Sequence, residues 1–244
     1  MKKMSLVTPY HQKEISKKEQ VRTMFDNIAC RYDFLNHFLS LGIDKRWRRN
    51  AVQLLKKENP KTILDIATGT GEFAIEALSI HPEKVIGIDI SEQMLDAGRK
   101  KIQAKHYEEK IQLMKGDAEK MIFENSCFEA VTVGFGVRNF EDLEKCLSEI
   151  YRVLKQNGTL VILEFSTPSV FPVKQLYHFY FSNILPFVGK IISKDRHAYS
   201  YLPESVKVFP SGKDFLKKLD KAGFTHTNFV PLTFGIASVY TGKK

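Results

Sequence analysis

Three aspartates and a glycine loop are the residues of this sequence best placed for chemistry. Asp65, Asp89 and Asp117 stand at the ends of three successive apolar runs, and the loop Gly69-Thr70-Gly71 follows the first run. In an open α/β sheet, ligands bind beyond the carboxyl ends of the strands. Taken alone, the loop also fits the relaxed dinucleotide fingerprint, with Ala74 as its third small residue. The glycines therefore indicate a nucleotide-like ligand without deciding which one.

The charge of Asp65 separates two classes of cofactor. An anion aimed at a pyrophosphate loop would repel the phosphates, whereas it would attract the ammonium and sulfonium groups of S-adenosylmethionine. Asp89 can accept hydrogen bonds from ribose hydroxyls in either case, and Asp117 with Ala118 suits the exocyclic amine of adenine. Each aspartate alone could equally be a helix cap or a turn residue, but three in register favour S-adenosylmethionine.

Short β-branched runs alternate with helical patterns from residue 62 onwards. Each run is separated from the next by a segment long enough to cross back over a sheet, which predicts a parallel sheet with helices on both faces. Two further runs near the end of the chain predict a hairpin. The seven predicted strands cover residues 62–67, 84–90, 111–116, 130–135, 160–165, 228–233 and 237–241.

Capping residues predict several helix boundaries. Ser91 precedes apolar residues at helical spacing and is expected to be an N-cap, as is Asp44 for the helix that carries Trp47. Asn157-Gly158 predicts the end of the helix that contains Leu147. An aromatic, apolar stretch over 171–194 also has helical character.

Composition limits the class of protein. The 244 residues are 43% hydrophobic and 27% charged, which predicts one globular domain. Much of the formal net charge of +9 lies in residues 2–22 and 45–49, where it could attract nucleic acid or an anionic membrane, or simply be a solvated helix face. The scattered cysteines, with no apparent secretory signal or membrane span, predict a cytoplasmic protein.

Motifs on both sides of the glycine loop carry a more specific resemblance. They are YDFLNHFLSLGIDKRW at 32–47, GFGVRNF at 134–140 and RVLKQNGTLVILEFS at 152–166. With them, the chain resembles the ubiquinone/menaquinone biosynthesis C-methyltransferases (the UbiE/MenG family) of the class I S-adenosylmethionine-dependent methyltransferases. The resemblance implies an α/β fold: a Rossmann-like three-layer sandwich whose seven-stranded sheet is mostly parallel and has an antiparallel C-terminal hairpin strand.

The resemblance also implies a domain organisation. We expect a basic tail over residues 1–20 and a single methyltransferase domain over 21–244. Within that domain, a helical cap over 21–58 and a substrate-side helical insertion over 167–210 would flank the central sheet.

Three positions depart from the family pattern. Asp44 stands where a histidine is usual, so an imidazole role cannot be carried over to that position. Gln156-Asn157 replaces a Pro-Gly pair, which alters only a turn because Asn tolerates positive φ. Gly134 stands where family members often offer a serine to the cofactor, so that side-chain contact is missing here.

The resemblance implies methyl transfer from S-adenosylmethionine to a ring carbon of a polyprenylated quinol, with demethylmenaquinol the favoured acceptor. Arg138 is expected to stabilise developing phenolate charge or polarise a water, and Asn139 to orient a quinol oxygen. Tyr201 is the expected further quinol contact. The alternatives are that Arg138 pairs with an acid such as Asp117, and that Tyr201 is a buried tyrosine bonded to backbone.

The expected cofactor-binding residues lie at strand ends or on the helices beside them. They are Tyr32, Asp65, Gly69, Thr70, Gly71, Asp89, Ile90, Met94, Asp117, Ala118 and Gly134. No metal is expected, because the reaction needs none and no His/Cys/Asp cluster has metal-ligand spacing.

The expected partners follow from the lipid nature of the acceptor. The stretch over 171–194 is interpreted as a substrate lid or membrane-facing helix, with plain core as the alternative. Peripheral contact with the inner face of a membrane is expected, and a homodimer is left open. A benzoquinol acceptor, a nucleic-acid methyltransferase, a non-catalytic methyltransferase-like subunit and an NAD-dependent dehydrogenase are the remaining alternatives, although no nucleic-acid partner is expected.

Overall fold

One sheet organises the part of the chain that the computed structural model describes, residues 7–184 and 197–244. Its strands are β1 Thr62–Ile66, β2 Lys84–Asp89, β3 Ile111–Lys115, β4 Phe128–Gly134, β5 Leu154–Phe165, β6 Thr225–Leu232 and β7 Ala237–Lys243. Their order is β3-β2-β1-β4-β5-β7-β6. Neighbouring strands are parallel except at β7, which is antiparallel to β5 and β6. The predicted sheet and its C-terminal hairpin are confirmed.

Helices cover both faces of this sheet. They are α1 Lys17–Ile28, α2 Tyr32–Leu39, α3 Ile43–Gln53, α4 Glu72–Ala77, α5 Glu92–Ala104, α6 Leu143–Val153, α7 Val173–Phe179, α8 His197–Val208 and α9 Lys213–Lys221. Side chains alternate between the faces of a strand, so Ile63 packs with α3, α4 and α5 while Leu64 packs with α6 and α9. The predicted three-layer arrangement is therefore confirmed.

A third, smaller cluster joins α1 to α8. Val21 and Met24 of α1 pack against Ala198 and Tyr201 of α8. Residues of both helices contribute to the walls of cavities at the carboxyl ends of the strands. The two helices thus help to enclose the edge of the sheet where a ligand is expected.

Some predicted helix boundaries are confirmed and others are wrong. Ser91 is the N-cap of α5, and its hydroxyl accepts a hydrogen bond from the Met94 amide at 3.2 Å. The N-cap of α3 is Gly42 rather than Asp44, because the left-handed backbone at Gly42 starts the helix two residues earlier. α6 ends at Val153, before Asn157-Gly158, because the chain enters β5 at Leu154.

The aromatic stretch over 171–194 is only partly described. It forms α7 and then a wider π-type turn, Tyr180–Ile184, and residues 185–194 lie outside the described part of the chain. Within 7–184 and 197–244, no helix combines the length and apolar character needed to cross a bilayer.

Candidate active site at the carboxyl ends of the strands

The glycine loop turns sharply after β1 and is held by the next strand. Gly69 and Gly71 adopt φ of +56° and +78°, a region that glycine enters without a steric cost. The Gly69 amide donates to Asp89 at 2.9 Å, and the Ser91 amide donates to the other carboxylate oxygen, also at 2.9 Å. Asp89 therefore ties the loop to the end of β2. Burial raises the pKa of Asp89 to about 6 despite these amide donors.

Asp65 lies behind the loop and is fully buried. Its carboxylate accepts hydrogen bonds from the hydroxyls of Thr68 at 2.6 Å and Thr132 at 2.7 Å. Burial raises the pKa of Asp65 to about 6. Asp65 is absent from the walls of the three cavities described below, so its predicted contact with the cofactor stays a prediction. Its observed contacts hold Thr68 against the sheet at the start of the loop.

A first cavity, with about 690 Å³ of empty volume, opens at the strand ends beside α1. Its wall contains Tyr32, Gly69, Asp89, Ile90, Met94, Asp117, Ala118 and Gly134, all predicted cofactor-binding residues. Thr70 and Gly71 are not part of this wall. The Thr70 hydroxyl donates to Asp33 at 2.5 Å, and the Gly71 amide donates to the Thr68 carbonyl at 2.9 Å.

Close packing explains the glycine at position 134. A Cβ atom there would lie 2.7 Å from Cδ1 of Phe73, which is closer than carbon atoms approach. A serine at this position would therefore require the Phe73 ring to move. Phe73 is buried in a core cluster, so its ring is packed against other side chains.

Two lysines of α1 contact residues of the candidate site. The sequence shows them only as part of a basic segment. Lys18 donates to Asp117 at 2.8 Å and to Glu119 at 2.7 Å across the first cavity. Lys17 is buried, and its ammonium donates to the carbonyls of Arg138 at 3.0 Å and Phe140 at 2.9 Å. Burial and the nearby Arg138 charge lower the pKa of Lys17 to about 8. These contacts join residues 99 to 123 positions apart in the sequence, and no local pattern indicates them.

A second cavity, with about 760 Å³ of empty volume, adjoins the first. Tyr32 and Phe135 belong to the walls of both. The second wall also contains Arg138 and Tyr201, whereas Asn139 belongs to the first. The structure therefore places the three predicted catalytic residues around the junction of two adjoining cavities.

Arg138 is fixed by a buried carboxylate. Its guanidinium lies 2.7 Å from Glu164, which is fully buried, and 3.3 Å from the Ser205 hydroxyl. The alternative expectation, that Arg138 pairs with a nearby acid, therefore holds, but the acid is Glu164 and not Asp117, which pairs with Lys18. The sequence motif contained Glu164, but nothing in it indicated that these two residues meet.

Two buried oxygens on residues of these cavity walls have no hydrogen-bond partner among the described residues. They are Oδ1 of Asn139 and the hydroxyl of Tyr201. Tyr201 is 3% exposed, and its burial raises the pKa of the hydroxyl to about 12, so it stays protonated and can donate. The alternative expectation, that the Tyr201 hydroxyl bonds to the backbone, is wrong, because this hydroxyl has no partner among the described residues. A buried polar group without a partner is costly, so a ligand that hydrogen-bonds either oxygen would remove that cost.

A third cavity, with about 460 Å³ of empty volume, shares Tyr32 and Phe135 with the walls of the other two. Its wall includes the acidic and basic side chains Asp33, His37, Asp44, Arg48 and Glu72. Across residues 7–184 and 197–244, no group of three His, Cys, Asp or Glu side chains is arranged to hold a metal ion.

The sheet order and the cavity at its carboxyl edge define an α/β protein of the S-adenosylmethionine-dependent methyltransferase class. A solved structure of such a methyltransferase from Thermotoga maritima superposes with a TM-score of 0.63 and covers 91% of this chain and 99% of that one. The two sequences are 21% identical, so this likeness shows the fold alone.

Sequence comparison gives the family. The model of the ubiE/COQ5 methyltransferase family matches residues 13–244. The chain is 50% identical to the demethylmenaquinone methyltransferase of Bacteroides fragilis over 239 residues, 98% of this chain and 97% of the relative. It is 46% identical to the ubiquinone/menaquinone biosynthesis C-methyltransferase UbiE of Geotalea daltonii over 230 residues, 93% of this chain and 97% of the relative. The chain therefore belongs to the ubiE/COQ5 methyltransferase family.

Proposed function

We propose that the protein methylates a ring carbon of demethylmenaquinol, with S-adenosylmethionine as the methyl donor. When bound, S-adenosylmethionine supplies an electrophilic methyl group on a sulfonium. The hydroxyls of the reduced acceptor ring make a neighbouring carbon nucleophilic, so the chain's own residues must align the two ligands and exclude water.

The first cavity fits an adenosyl group that carries positive charge. Asp89 lies where it can accept hydrogen bonds from ribose, and Asp117 and Ala118 lie beyond it at the end of β3. Oδ1 of Asn139 offers a further acceptor that has no partner among the described residues. A pyrophosphate would instead meet the carboxylates of Asp89, Asp117 and Glu119 in this wall.

The second cavity fits the quinol ring. Its wall is largely apolar and aromatic, with Phe25, Phe135 and Phe165 among its members. Arg138 supplies a fixed positive charge for an oxygen that becomes phenolate-like, and Tyr201 supplies a hydroxyl that can donate to a ring oxygen.

The observation that carries this proposal is that the two cavities meet at Tyr32 and Phe135, with Arg138 and the unpartnered Tyr201 hydroxyl on the acceptor side. The test is transfer of tritiated methyl from S-adenosylmethionine to a short-chain demethylnaphthoquinone, either reduced or oxidised. We expect label only with the reduced acceptor, since the oxidised ring lacks the activating hydroxyls. No label with either form, while calorimetry shows bound S-adenosylmethionine, would overturn the proposal.

A demethylated benzoquinol is the second candidate acceptor. The name of the Geotalea daltonii relative includes both ubiquinone and menaquinone. The Bacteroides fragilis relative, which is more similar to this chain, is named for demethylmenaquinone alone. That difference favours the naphthoquinol.

We also propose peripheral contact with a cytoplasmic membrane face. Phe171, Leu176 and Phe179 are exposed by 78%, 64% and 59%, which is unusual for large apolar side chains on one short stretch. Lys45 and Arg46 are exposed and could meet anionic lipid, whereas Arg48 is buried and paired. The test is sedimentation with anionic vesicles. Retention in the supernatant at low salt would contradict membrane contact.

A further inference from the structure

The turn that carries Arg138 and Asn139 is attached to α1 by one lysine. This turn, Val137–Asn139, is a single 3-10 turn between β4 and α6 and is called the Arg138 turn below. Its own hydrogen bonds end at the Gly136 and Val137 carbonyls, so the carbonyls of residues 138 and 140 need other donors. The Lys17 ammonium donates to both, at 3.0 Å and 2.9 Å.

The attachment runs in both directions. The backbone amide of Lys17, at the start of α1, donates to the Glu141 carboxylate at 2.9 Å, two residues beyond the Arg138 turn. Further along α1, Val21 belongs to the wall of the first cavity and Met24 to the wall of the second. Lys17 therefore sets how the helix that helps to enclose both cavities lies against the Arg138 turn.

Burying the Lys17 ammonium has a cost that an apolar side chain would avoid. Lys17 is 8% exposed, and among the described residues its ammonium donates only to the two backbone carbonyls. The nearby charges differ in sign, because Arg138 repels the ammonium whereas Glu141 and Glu119 attract it. A buried cation held by carbonyl dipoles rather than by a carboxylate destabilises a fold. Its position beside the Arg138 turn therefore indicates a role in the reaction.

We propose that Lys17 is a positioning residue for methyl transfer, which holds the Arg138 turn in place through its two carbonyl hydrogen bonds. The inference rests on the proposed function. Glu164 orients the guanidinium of Arg138, whereas Lys17 fixes the backbone from which Arg138 and Asn139 both project. Without the ammonium the pairing with Glu164 would remain, but the backbone could shift. A shift of about 1 Å can lower a rate about 10²-fold.

The protonation of Lys17 should make this support depend on pH. Burial and the Arg138 charge lower the pKa of Lys17 to about 8. The other groups that face it are Glu141, Cys146 and Glu119, which act in the opposite direction. Lys17 is therefore charged below about pH 8 and neutral above it. Because a neutral amine forms hydrogen bonds about half as strong as those of an ammonium, we expect kcat to fall as the pH rises through this pKa.

The test compares Lys17→Met and Lys17→Arg with the exposed control variant Lys13→Met. Lys17→Met keeps the length of the side chain but removes its charge and its donors. We expect kcat to fall about 10- to 100-fold while the affinity for S-adenosylmethionine, measured by calorimetry, changes less than about threefold. Lys17→Arg keeps a charge whose pKa is above about 12, so it should retain more of the rate and lose the alkaline fall. A rate in Lys17→Arg no higher than in Lys17→Met would contradict a role for the charge.

A second variant tests the charge without changing Lys17. Glu141→Gln keeps an oxygen that can accept from the Lys17 amide, and it removes a carboxylate that raises the pKa of Lys17. The alkaline fall in kcat should therefore move to lower pH, which a merely structural role would not cause. A fall that does not move would overturn the proposal, even if Lys17→Met does not fold.

Hydrogen exchange at the amides of residues 137–140, followed by mass spectrometry, gives a readout that does not depend on activity. These amides should exchange faster in Lys17→Met than in Lys13→Met, because the Arg138 turn opens more often when its carbonyls lose their donor. Equal exchange in the two variants would contradict the attachment of the turn by Lys17.

The outcomes separate the role of Lys17 from the proposed function. Wild-type transfer to a naphthoquinol or benzoquinol, with the kcat of Lys17→Met within about threefold of it, would overturn the role of Lys17 alone. The same holds if Lys17→Met has a lower melting temperature but an unchanged kcat. No transfer by the wild type to either quinol would overturn the proposed function and the role of Lys17 together.

Discussion

The guanidinium of Arg138 and the carboxylate of Glu164 form a buried ion pair at 2.7 Å. Arg138 lies in the turn after β4, and Glu164 lies at the end of β5. Glu164 also accepts from the backbone amides of Arg138 at 3.2 Å and Phe165 at 2.8 Å. The carboxylate is thus satisfied by several donors, and it orients a cation that faces the second cavity. Glu164 is a positioning residue for Arg138.

Replacing Arg138 by lysine should lower kcat and leave the affinity for S-adenosylmethionine unchanged. Arg138→Lys keeps the charge but loses the planar geometry that Glu164 and the site require. We expect kcat to fall about 10²-fold or more, because the charge no longer stabilises the phenolate-like oxygen. Steady-state kinetics with the reduced acceptor, together with calorimetry for S-adenosylmethionine, would measure this. Arg99, a half-buried arginine that pairs with Glu92 and Asp96, gives the control variant Arg99→Lys. An unchanged kcat in Arg138→Lys would contradict the assigned role.

Removing the charge of Glu164 should destabilise the fold. In Glu164→Gln the buried guanidinium loses its ionic partner, and we expect the free energy of unfolding to drop by about 3–5 kcal/mol. Urea denaturation followed by circular dichroism would measure the drop. Glu144, which pairs with Lys218 and Lys221 at the surface, provides the control, since Glu144→Gln should change stability little. Equal effects of the two substitutions would rule out a special role for the buried pair.

Tyr201→Phe should weaken binding of the quinol acceptor without lowering the stability of the protein. The Tyr201 hydroxyl has no partner among the described residues, so removing it breaks no hydrogen bond within the described protein. We expect the KM for the quinol to rise about 2- to 10-fold, the value of one neutral hydrogen bond. Tyr240→Phe is the opposite case, because its hydroxyl accepts from the Gly212 amide at 2.8 Å. That control should lower the melting temperature and leave KM unchanged. A destabilised Tyr201→Phe variant with normal KM would oppose the assignment.

Binding of S-adenosylmethionine should weaken in mild acid. Burial raises the pKa of Asp89 to about 6 in the free protein, so its carboxylate is ionised above that pH and protonated below it. Only the ionised form can accept from both ribose hydroxyls, and it also favours a cationic ligand. We therefore expect affinity to be nearly complete above about pH 7, about half of that at pH 6 and about tenfold weaker at pH 5. Calorimetry across this range would show the fall, which should be shallower in Asp89→Asn. A flat wild-type profile would contradict the role of Asp89.

The sheet was predictable from the sequence because its signals are local. The strand runs are short, β-branched and bounded by turn residues, and the observed β1, β2 and β3 begin where the pattern predicts. Ser91 was likewise identified because a cap and the helix it starts are adjacent in sequence. α6 ends earlier than the pattern predicts, since Asn157-Gly158 is typical of a helix end but lies within β5.

The contacts that complete the site were not predictable because they join distant segments. Glu164 and Arg138 come from different strand ends, and Lys17 reaches the backbone of residues 138 and 140 from a segment that appears merely basic. The sequence predicts only a cap at Asp44, because it does not show which side chains surround that residue. The pairing of Asp44 with His37 depends on how α2 packs against α3, which no periodic pattern reports.

Competition between acceptors tests the central claim most directly. Equal concentrations of short-chain demethylnaphthoquinol and demethylbenzoquinol would be mixed with the enzyme and labelled S-adenosylmethionine, because the ratio of labelled products then gives the ratio of kcat/KM values. The proposed function predicts that the methylated naphthoquinol is the only labelled product, or that it carries more label than the methylated benzoquinol. Label in the benzoquinol alone, or in neither while the cofactor is bound, would contradict it.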